Sequence, residues 1–463
     1  MEFISVLWNY ILPFLVLFTL LVFVHEMGHY SVARRNGVRV EIFSIGFGPE
    51  LFGRDDRWGT RWKFCAIPLG GYVKMFGDAD AASRPGEAVQ RLTPEQRKVS
   101  FYHKSVGQRA AIVFAGPAVN YLFAVLILAL LFMTAGQRHT PAVVGAVIPG
   151  GAAESAGLRT GDTIVQFAGR NIDRFEEVEQ VALLHPGQAL RIVVRRDNAE
   201  RAFRLTPEPR TVRDKHGNTE VYGVLGAVRM VAPVVGRVLE NSAAAEAGLM
   251  NGDRIVAIDG RPVSTFQEVR TVVMAGPEKR LRLRILRDGR SVGLTVVPKI
   301  YSYRDGAGVA RTIGRIGIGV APPPMKRHGP LAAFWAAVGE TWSLTVISAT
   351  AIGQMFTGKR ELRDIGGPLR IAEMSGDMAQ IGIYAFVWFM AAISLSLCLI
   401  NLLPVPMLDG GHLLYYGIEA IRGKPLGEKA QEFGFRIGMA LVLGLMVVVT
   451  WNDLLRLFGA HGS

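Results

Sequence analysis

His25, Glu26 and His29 form the pattern His-Glu-x-x-His within the segment VFVHEMGHY. On a helix, residues four positions apart lie on one face, so both imidazoles can point toward one metal ion. Two such histidines and a neighbouring glutamate predict a zinc site in which Glu26 is the general base that activates a water molecule. The pattern often occurs by chance, so its weight depends on its surroundings.

Residues 6–30, which contain this pattern, form an apolar run long enough to cross a bilayer as a helix. Ionisable groups at the end of a membrane helix are costly, so they indicate a functional site. The alternative is a helix end at the membrane interface whose histidines and glutamate are solvated. The run ends in HEMGH rather than in a small-residue cleavage site, so we expect it to be retained and not cleaved as a signal peptide.

The composition is that of a membrane protein with additional domains. The chain has 463 residues, 50% of them hydrophobic, and a formal net charge of +13. Its mean hydropathy is +0.26. Basic clusters are not interleaved with aromatic residues, so the positive charge predicts a membrane surface and no nucleic-acid partner. The two cysteines, Cys65 and Cys398, exclude a disulfide framework and offer no CxxC zinc site.

The loop after the first span indicates the orientation of the chain. Residues 31–109 contain 14 Lys or Arg and 8 Asp or Glu. Positive charge beside a span favours the cytoplasmic side, so we expect the N-terminus outside. The second span, about residues 110–133, contains Gly116 and Asn120 one helical turn apart. Gly116 allows close helix approach, and Asn120 needs a partner, either the first helix or a substrate backbone. Ordinary helix packing is the alternative for this pair.

Within that loop, two apolar arms flank Gly70-Gly71 in residues 62–76. Such a pattern predicts a β-hairpin with its turn at the glycines. The hairpin could be an ordinary surface element, or it could lie beside the metal site and offer an edge strand to an extended substrate.

Residues 137–322 contain an internal repeat with a constant offset of 91 residues. Val144-Gly145 matches Val235-Gly236, and Gly161-Asp162 matches Gly252-Asp253. A period this long indicates a duplicated domain, here residues 137–231 and 232–322. The order of elements resembles PDZ domains of the permuted bacterial type, which bind extended peptides at a sheet edge. The alternative is a pair of spacer domains without a strong ligand.

The C-terminal part predicts two further spans, about residues 381–403 and 433–452. Residues 331–356 are apolar, but a crossing there would place Asp409 and the two histidines on opposite membrane faces. We therefore predict, within residues 323–380, a helix that lies along the interface or packs on the helix bundle, followed by a loop. Asp409, just after the third span, then predicts a third zinc ligand. A solvated Asp-Gly turn is the alternative, and His412 is a weaker candidate ligand. Pro404 breaks the helix beside it.

Taken together, the HEMGH pattern, GPAVN, the twin PDZ-like copies and NLLPVPMLDGGH resemble the site-2 protease family over nearly the whole chain. The likeness is greatest to the bacterial regulator-of-sigma-E protease type. It implies a multi-pass α-helical membrane protein with four transmembrane helices, a re-entrant β-hairpin on the cytoplasmic side and two PDZ-like α+β domains outside. It also implies the bacterial inner membrane, with both termini outside and the active site toward the cytoplasm.

The resemblance also assigns residues. His25, His29 and Asp409 are similar to the family's zinc ligands, and Glu26 to its catalytic glutamate. The segment IPLGGYVKM is similar to the re-entrant hairpin. The implied substrate-binding residues are Asn120, Asn401, Gly70, Gly71, Tyr72, Val73 and Pro404. The family type usually has an asparagine where this chain has Ser396, and a hydroxyl offers fewer hydrogen bonds than an amide.

The resemblance implies a zinc metalloprotease that cuts transmembrane segments of single-span proteins, and we expect a prior cut to be needed because the PDZ-like pair would exclude bulky outer domains. The resemblance implies an anti-sigma factor or remnant signal peptides as substrates, and peptide ligands for the PDZ-like copies. Two alternatives remain at this point. One is a zinc sensor or transporter, which needs no general base, and the other is a PDZ-based membrane scaffold.

Overall fold

The computed structural model describes residues 7–78, 92–213, 219–304, 310–321, 324–356 and 367–459. The chain divides into two compact units. The first comprises Met1–Gln137, Arg213–Asn218 and Arg327–Ser463, and the second comprises Arg138–Val212 and Thr219–Lys326. Each unit is considered separately below.

In the described part of the chain, a π-helical turn Leu7–Ile11 precedes the first α-helix. The α-helices are α1 Leu12–Arg35, α2 Pro94–Val99, α3 Val106–Thr134, α4 Ala152–Ser155, α5 Phe175–Leu184, α6 Ala243–Glu246, α7 Phe266–Met274, α8 Pro330–Phe356, α9 Pro368–Ile381, α10 Ile383–Asn401, α11 Asp409–Arg422 and α12 Glu428–Gly459. The strands are β1 Val40–Asp55, β2 Arg61–Met75, β3 Gln137–Arg138, β4 Val144–Val147, β5 Thr163–Phe167, β6 Arg170–Asn171, β7 Leu190–Arg196, β8 Ala199–Leu205, β9 Glu208–Arg213, β10 Thr219–Val224, β11 Ala227–Arg229, β12 Val235–Val238, β13 Arg254–Ile258, β14 Arg261–Pro262, β15 Leu281–Arg287, β16 Arg290–Val296, β17 Lys299–Arg304, β18 Ala310–Arg315, β19 Ile318–Val320 and β20 Met325–Lys326.

Helix α3 is the centre of the first unit, because α1, α8, α10 and α11 all pack against it. Its apolar residues Leu128 and Phe132 are fully buried in a cluster with Ala333 and Ala337 of α8. A second cluster joins Leu17 of α1 to residues of α10. The small side chains of Ala333 and Ala337 let α8 approach α3 closely, as is typical of helix packing in membranes.

Five helices of the described residues are long and apolar enough to span a membrane by length and composition. They are Leu7–Arg35, Val106–Thr134, Pro330–Met355, Ile383–Asn401 and Lys429–Trp451. Four of them overlap the spans predicted from the sequence. The additional helix is α8, which we expected at the interface or packed on the bundle, and it does pack against α3. The count of four is not confirmed by hydropathy.

The loop expected after α8 is in part a helix. Residues 357–366 lie outside the described residues, but α9 begins at Pro368 directly after them. Proline at the first helical position favours helix initiation. Gly376 of α9 packs directly against Asn9 and Tyr10, where a Cβ would collide with both. The prediction of a loop was wrong here. Helix α9 is amphipathic, and one of its faces is covered by the start of the chain.

The hairpin expected at residues 62–76 is longer and reverses elsewhere. Its strands are β1 and β2, and the reversal is at residues 56–60. The Asp56 carboxylate accepts hydrogen bonds from the backbone N–H groups of Trp58 (2.8 Å) and Thr60 (3.0 Å). An aspartate commonly closes a turn in this way. The prediction that Gly70-Gly71 forms the turn was therefore wrong.

Gly70-Gly71 instead lies within β2, where the hairpin folds back on itself. Residues 42–45 of β1 pair with residues 71–74 and also with residues 61–64. Gly46, Gly48 and Gly70 have φ values of 88°, 84° and 127°, a region that glycine enters without strain. Residues 71–75, the last part of β2, consequently form an outer strand of a curled sheet.

The second unit contains two copies of one fold. The sheet of the first copy has the strand order β6-β5-β7-β8, and that of the second has the order β14-β13-β15-β16. Each copy has its own apolar core, in which Ile164 and Phe167 of the first correspond to Ile255 and Ile258 of the second. The repeat read from the sequence therefore corresponds to two domains of equal topology.

One polar contact is identical in both copies. The Arg196 guanidinium donates from Nε to Asp162 Oδ1 (2.6 Å) and from Nη2 to Asp162 Oδ2 (2.7 Å) and to the Gly157 carbonyl (2.9 Å). Arg287 and Asp253 form the same pair at 2.8 and 2.7 Å. A bidentate pair of this kind holds the turn that contains the aspartate against the end of a strand.

Candidate metal centre

Helix α1 presents both histidines on one face. Their Nε2 atoms lie 3.2 Å apart, as expected for residues one turn apart whose rings converge. His29 is buried, and His25 and Glu26 are half-buried. The helix continues past the pattern to Arg35, so the histidines lie inside the helix and are held by its regular backbone.

Asp409 is the first residue of α11. It follows a segment with two prolines in which Met407 has a φ of 91°, so the chain bends sharply before the helix begins. A Cβ added to Gly410 or Gly411 would collide with backbone carbonyls of Leu402 or Val405. The two glycines therefore let the helix start directly against the end of the preceding turn, and this close packing fixes the position of Asp409.

The structure brings His25, His29 and Asp409 together, with ligand atoms within 4.8 Å of one another. Asp409 Oδ2 lies 3.2 Å from His25 Nε2, and Oδ1 lies 3.6 Å from His29 Nε2. His412, the weaker candidate, is not part of this group. The three side chains come from two helices, and their ligand atoms converge on one place.

These separations fit zinc. Ligands placed tetrahedrally at about 2.0–2.1 Å from the ion lie about 3.3–3.4 Å from one another. The separation of the two Nε2 atoms and that of His25 Nε2 from Asp409 Oδ2, both 3.2 Å, lie close to this value. His29 Nε2 lies 3.6 Å from the other carboxylate oxygen, Oδ1. Two imidazoles and a carboxylate are also the ligand types of catalytic zinc sites, in which the fourth position is left for water or substrate.

Glu26 lies on the side of α1 that faces the hairpin. A Cβ added to Gly71 would meet the Glu26 and Val22 side chains, so β2 passes directly against this face of the helix. The Val73 backbone amide is close enough to interact with the Glu26 carboxylate. The two glycines predicted to bind substrate thus bring a strand beside the residue predicted to act as base.

Helix α3 contacts both imidazoles from the other side. His29 Nδ1 lies 2.9 Å from the Ile112 carbonyl, and His25 Nδ1 lies 3.4 Å from Asn120 Nδ2. A Cβ on Gly116 would collide with both rings. Asn120 is therefore placed at the first helix, which was one of the two partners considered from the sequence. The Ile112 contact was not predicted, because a carbonyl acceptor leaves no trace in the side chains.

The remaining predicted substrate residues are spread around the centre. The Tyr72 ring stacks on Phe47, with centroids 6.1 Å apart. Asn401 is half-buried at the end of α10, and Pro404 is exposed in the turn that follows. Ser396 Oγ donates to the Ala392 carbonyl of its own helix at 3.0 Å. No hydrogen bond among the described residues joins Asn401 to the histidines or to Asp409.

Two polar anchors around the centre were not predicted. Arg109 at the start of α3 pairs with Glu419 of α11 at 2.6 Å, and both side chains are largely buried. At the end of α1, the Tyr30 hydroxyl donates to Asp56 of the hairpin turn at 3.0 Å. Burial alone would raise the pKa of Asp56, but its hydrogen bonds from Thr60, Trp62, Trp58 and Tyr30 lower it to about 2.

Comparison with known proteins gives one family for nearly the whole chain. Residues 13–445 match the model of peptidase family M50. A Rhizobium meliloti protein whose name marks it as a candidate zinc metalloprotease is 38% identical over 458 residues, which cover 97% of this chain and 98% of that protein. The regulator of sigma-E protease RseP of Escherichia coli K12 is 37% identical over 472 residues, covering 98% of this chain and 100% of that protein.

Among solved structures, the PDZ domain of the SdrC-like protein of Listeria innocua is 21% identical. It matches 21% of this chain and 99% of that domain, with a TM-score of 0.16. A score this low carries no argument, so the description of the two copies rests on their own strand order.

Proposed function

The chain belongs to peptidase family M50 and is a zinc metalloprotease, and we propose that it hydrolyses peptide bonds inside the membrane, within transmembrane segments of single-span proteins. The predicted membership in the site-2 protease family and the predicted zinc dependence are thereby confirmed. The observation that carries the proposal is the convergence of His25, His29 and Asp409 at the end of an apolar helix.

In this proposal, His25, His29 and Asp409 hold the ion and Glu26 is the proton carrier. Zinc, when bound, polarises the scissile carbonyl and makes a water molecule more acidic. Glu26 lies next to His25 in the same helix turn, so its carboxylate can take the proton from the attacking water. It then passes this proton to the leaving amine, whose C–N bond breaks.

The hairpin would hold the substrate in an extended form. A helical substrate hides its carbonyls in i to i−4 hydrogen bonds, so it must unwind before it is cut. Residues 71–75 form an outer strand of the curled sheet and run directly beside Glu26. An unwound substrate that pairs with Tyr72 and Val73 would lie along this strand with its backbone toward the ion. Asn401 and Pro404 would contact it from the turn after α10.

The proximity of Asp409 to His25 also supports the proposed topology. If α1 and α3 both cross, the chain returns to its starting side before the second unit. If α8 and α10 both crossed after it, Asp409 would lie on the membrane face opposite to His25. A single crossing by α10 places both on one face, and the basic residues of the loop 31–109 favour the cytoplasmic one. Both termini and both PDZ-like copies would then be extracytoplasmic.

The topology has its own test. Arg34→Cys lies in the last turn of α1 and Lys424→Cys just after α11, in a background where Cys65 and Cys398 are replaced by Ala. We expect an impermeant maleimide to label both only after the inner membrane is opened. Labelling of one of them in intact spheroplasts would contradict a four-span arrangement.

For the biological role, the name of the relative RseP refers to regulation of sigma-E. We propose that this chain likewise cuts a membrane-bound anti-sigma factor, remnant signal peptides or both, in a bacterial inner membrane. The PDZ-like pair would admit substrates whose outer domains had already been removed by an earlier cut. Peptide binding at the sheet edges of the pair would matter less than this exclusion of substrates with bulky outer domains.

The decisive experiment replaces Glu26 by Gln in the full-length chain and follows cleavage of a single-span model substrate in membranes. Because a general base contributes typically about 10²- to 10⁴-fold, we expect a loss on that scale with zinc content unchanged. Glu95→Gln, at an exposed position of α2, is the matched control. Full activity of Glu26→Gln would favour a zinc sensor or transporter instead. A second variant lacks residues 140–320 and is tested on short-tailed substrates, which are single-span proteins without a bulky outer domain. If this deletion abolished their cleavage, a scaffold role would be favoured.

A further inference from the structure

One face of α3 meets both histidines of the proposed metal site. Ile112, Gly116 and Asn120 are spaced four residues apart and therefore lie in a row along the helix. The Ile112 carbonyl lies 2.9 Å from His29 Nδ1, and the missing side chain of Gly116 leaves space for both rings. Asn120, at the other end of the row, lies beside His25 Nδ1.

The Ile112 contact fixes the proton of His29. A carbonyl can only accept, so the hydrogen must be on Nδ1, and Nε2 keeps its lone pair. Nε2 is the atom that converges with His25 Nε2 and with Asp409. A hydrogen bond from the second ring nitrogen to a carbonyl is the usual way in which proteins orient a histidine toward a metal.

His25 needs the same arrangement, and Asn120 is the group in place to provide it. The Asn120 side chain is 0% exposed, and its Oδ1 has no hydrogen-bond partner among the described residues. Its Nδ2 faces His25 Nδ1 at 3.4 Å. With Nε2 committed to the ion, Nδ1 of His25 carries hydrogen, so two donors face each other while a buried acceptor is left alone.

Exchange of the two amide atoms removes the contact between two donors and gives Oδ1 a donor, while Nδ2 moves to the position that Oδ1 occupied. The oxygen and nitrogen of an asparagine amide are assigned from the hydrogen-bond network, and a half-turn of the amide interchanges them. Oδ1 then accepts from the Nδ1–H of His25. The backbone of Asn120 is held independently, because Ser394 Oγ of α10 donates to its carbonyl at 2.9 Å.

We infer that Asn120 is a positioning residue of the metal site: its Oδ1 accepts the Nδ1–H of His25, as the Ile112 carbonyl accepts that of His29. One row of α3 thus holds both imidazoles with Nε2 toward the ion. This inference rests on the proposed metal site, and it replaces the expectation that Asn120 binds the substrate backbone. Each residue of the row then has its own role. Ile112 supplies the acceptor for His29, Gly116 leaves space for both rings, and Asn120 supplies the acceptor for His25.

The test measures metal affinity rather than activity alone. Full-length protein is purified in detergent, stripped of metal and titrated with zinc against a competing chelator. Asn120→Leu keeps the branched shape of the side chain, adds some volume and removes the acceptor, whereas Asn120→Asp keeps acceptor oxygens at the same position. Because loss of such an outer contact typically weakens metal binding about 10- to 100-fold, we expect this loss in Asn120→Leu and near-native affinity in Asn120→Asp.

Ser394→Ala is the matched control, since it removes a contact to the Asn120 backbone without touching an imidazole, and its zinc affinity should stay within about threefold of wild type. If Asn120→Leu fails to fold, Asn120→Ala makes the same comparison without added volume. Native zinc affinity in the variant lacking the acceptor would overturn the inference, as would equal losses in Asn120→Asp and Asn120→Leu. Unchanged zinc binding by His25→Ala would instead refute the metal site itself, so the two failures are distinguishable.

Discussion

Two buried carboxylates of the second unit and one half-buried carboxylate of the first have different surroundings. In the PDZ-like copies, Asp162 and Asp253 are each met by a bidentate arginine and by a backbone N–H, at 2.8 Å in both cases. At the metal centre, no arginine or lysine of the described residues pairs with Asp409, which faces only two imidazoles. A carboxylate satisfied by its own domain serves the fold, whereas one that faces the two proposed ligand imidazoles is expected to bind the ion with them.

The largest effect expected from this contrast is that of Asp409→Asn. Loss of the metal removes several kcal/mol of transition-state stabilisation, which corresponds to roughly 10³-fold or more in rate. We expect zinc content, measured by mass spectrometry of the purified protein, to fall in parallel. The metal-free protein should unfold no earlier than metal-free wild type, because a half-buried charge whose partners among the described residues are only two imidazoles has been removed. Normal zinc content in this variant would show that Asp409 is not a ligand.

The same Asp-to-Asn replacement in a PDZ-like copy should lower the stability of that copy and leave zinc binding unchanged. Asp162→Asn loses charge-assisted hydrogen bonds worth about 2–3 kcal/mol, so the first copy should open more often. Zinc content and cleavage of a short-tailed substrate should stay as in wild type. Hydrogen exchange of peptides from residues 140–231 measures the loss, and peptides from residues 232–322 serve as the internal control. Equal protection in the first copy would contradict the structural role of the pair.

Acid should act on the PDZ-like copies through these same carboxylates. Burial alone would raise the pKa of Asp162, but the hydrogen bonds from Arg196 and the Arg159 amide lower it, and Arg287 does the same for Asp253. Because the folded pKa is below the unfolded value of about 3.9, this stabilisation is complete above that pH and declines as the pH falls toward the folded pKa. Exchange protection, corrected for intrinsic rates, should therefore drop below about pH 4, and less steeply in Asp162→Asn.

The elements predicted correctly from the sequence are those that local spacing determines. The four-residue spacing of His25 and His29 fixes their common face, and the constant offset of 91 residues fixes the equal topology of the copies. The wrong turn at Gly70-Gly71 shows the limit, since two glycines allow a bend inside a strand as well as a reversal. Contacts such as Arg196 with Asp162, 34 residues apart, arise only when the strands pair.

The smallest predicted effects concern Asn401 and Ser396, which extend the contrast to neutral groups. Ser396 already donates to the Ala392 carbonyl, whereas the Asn401 amide has no hydrogen-bond partner among the described residues and remains available to a substrate. Loss of one such hydrogen bond costs about 1 kcal/mol, so Asn401→Ala should raise KM about five- to tenfold. Ser396→Ala should change KM less than about twofold, because the hydroxyl donates to its own helix and we expect it to make no hydrogen bond with the substrate. KM is measured on the model substrate at saturating zinc. A larger effect of Ser396→Ala than of Asn401→Ala would mean that the Ser396 hydroxyl leaves its own helix to bind substrate. A side chain without a hydrogen-bond partner in the free enzyme would then not be a guide to the residue that binds substrate.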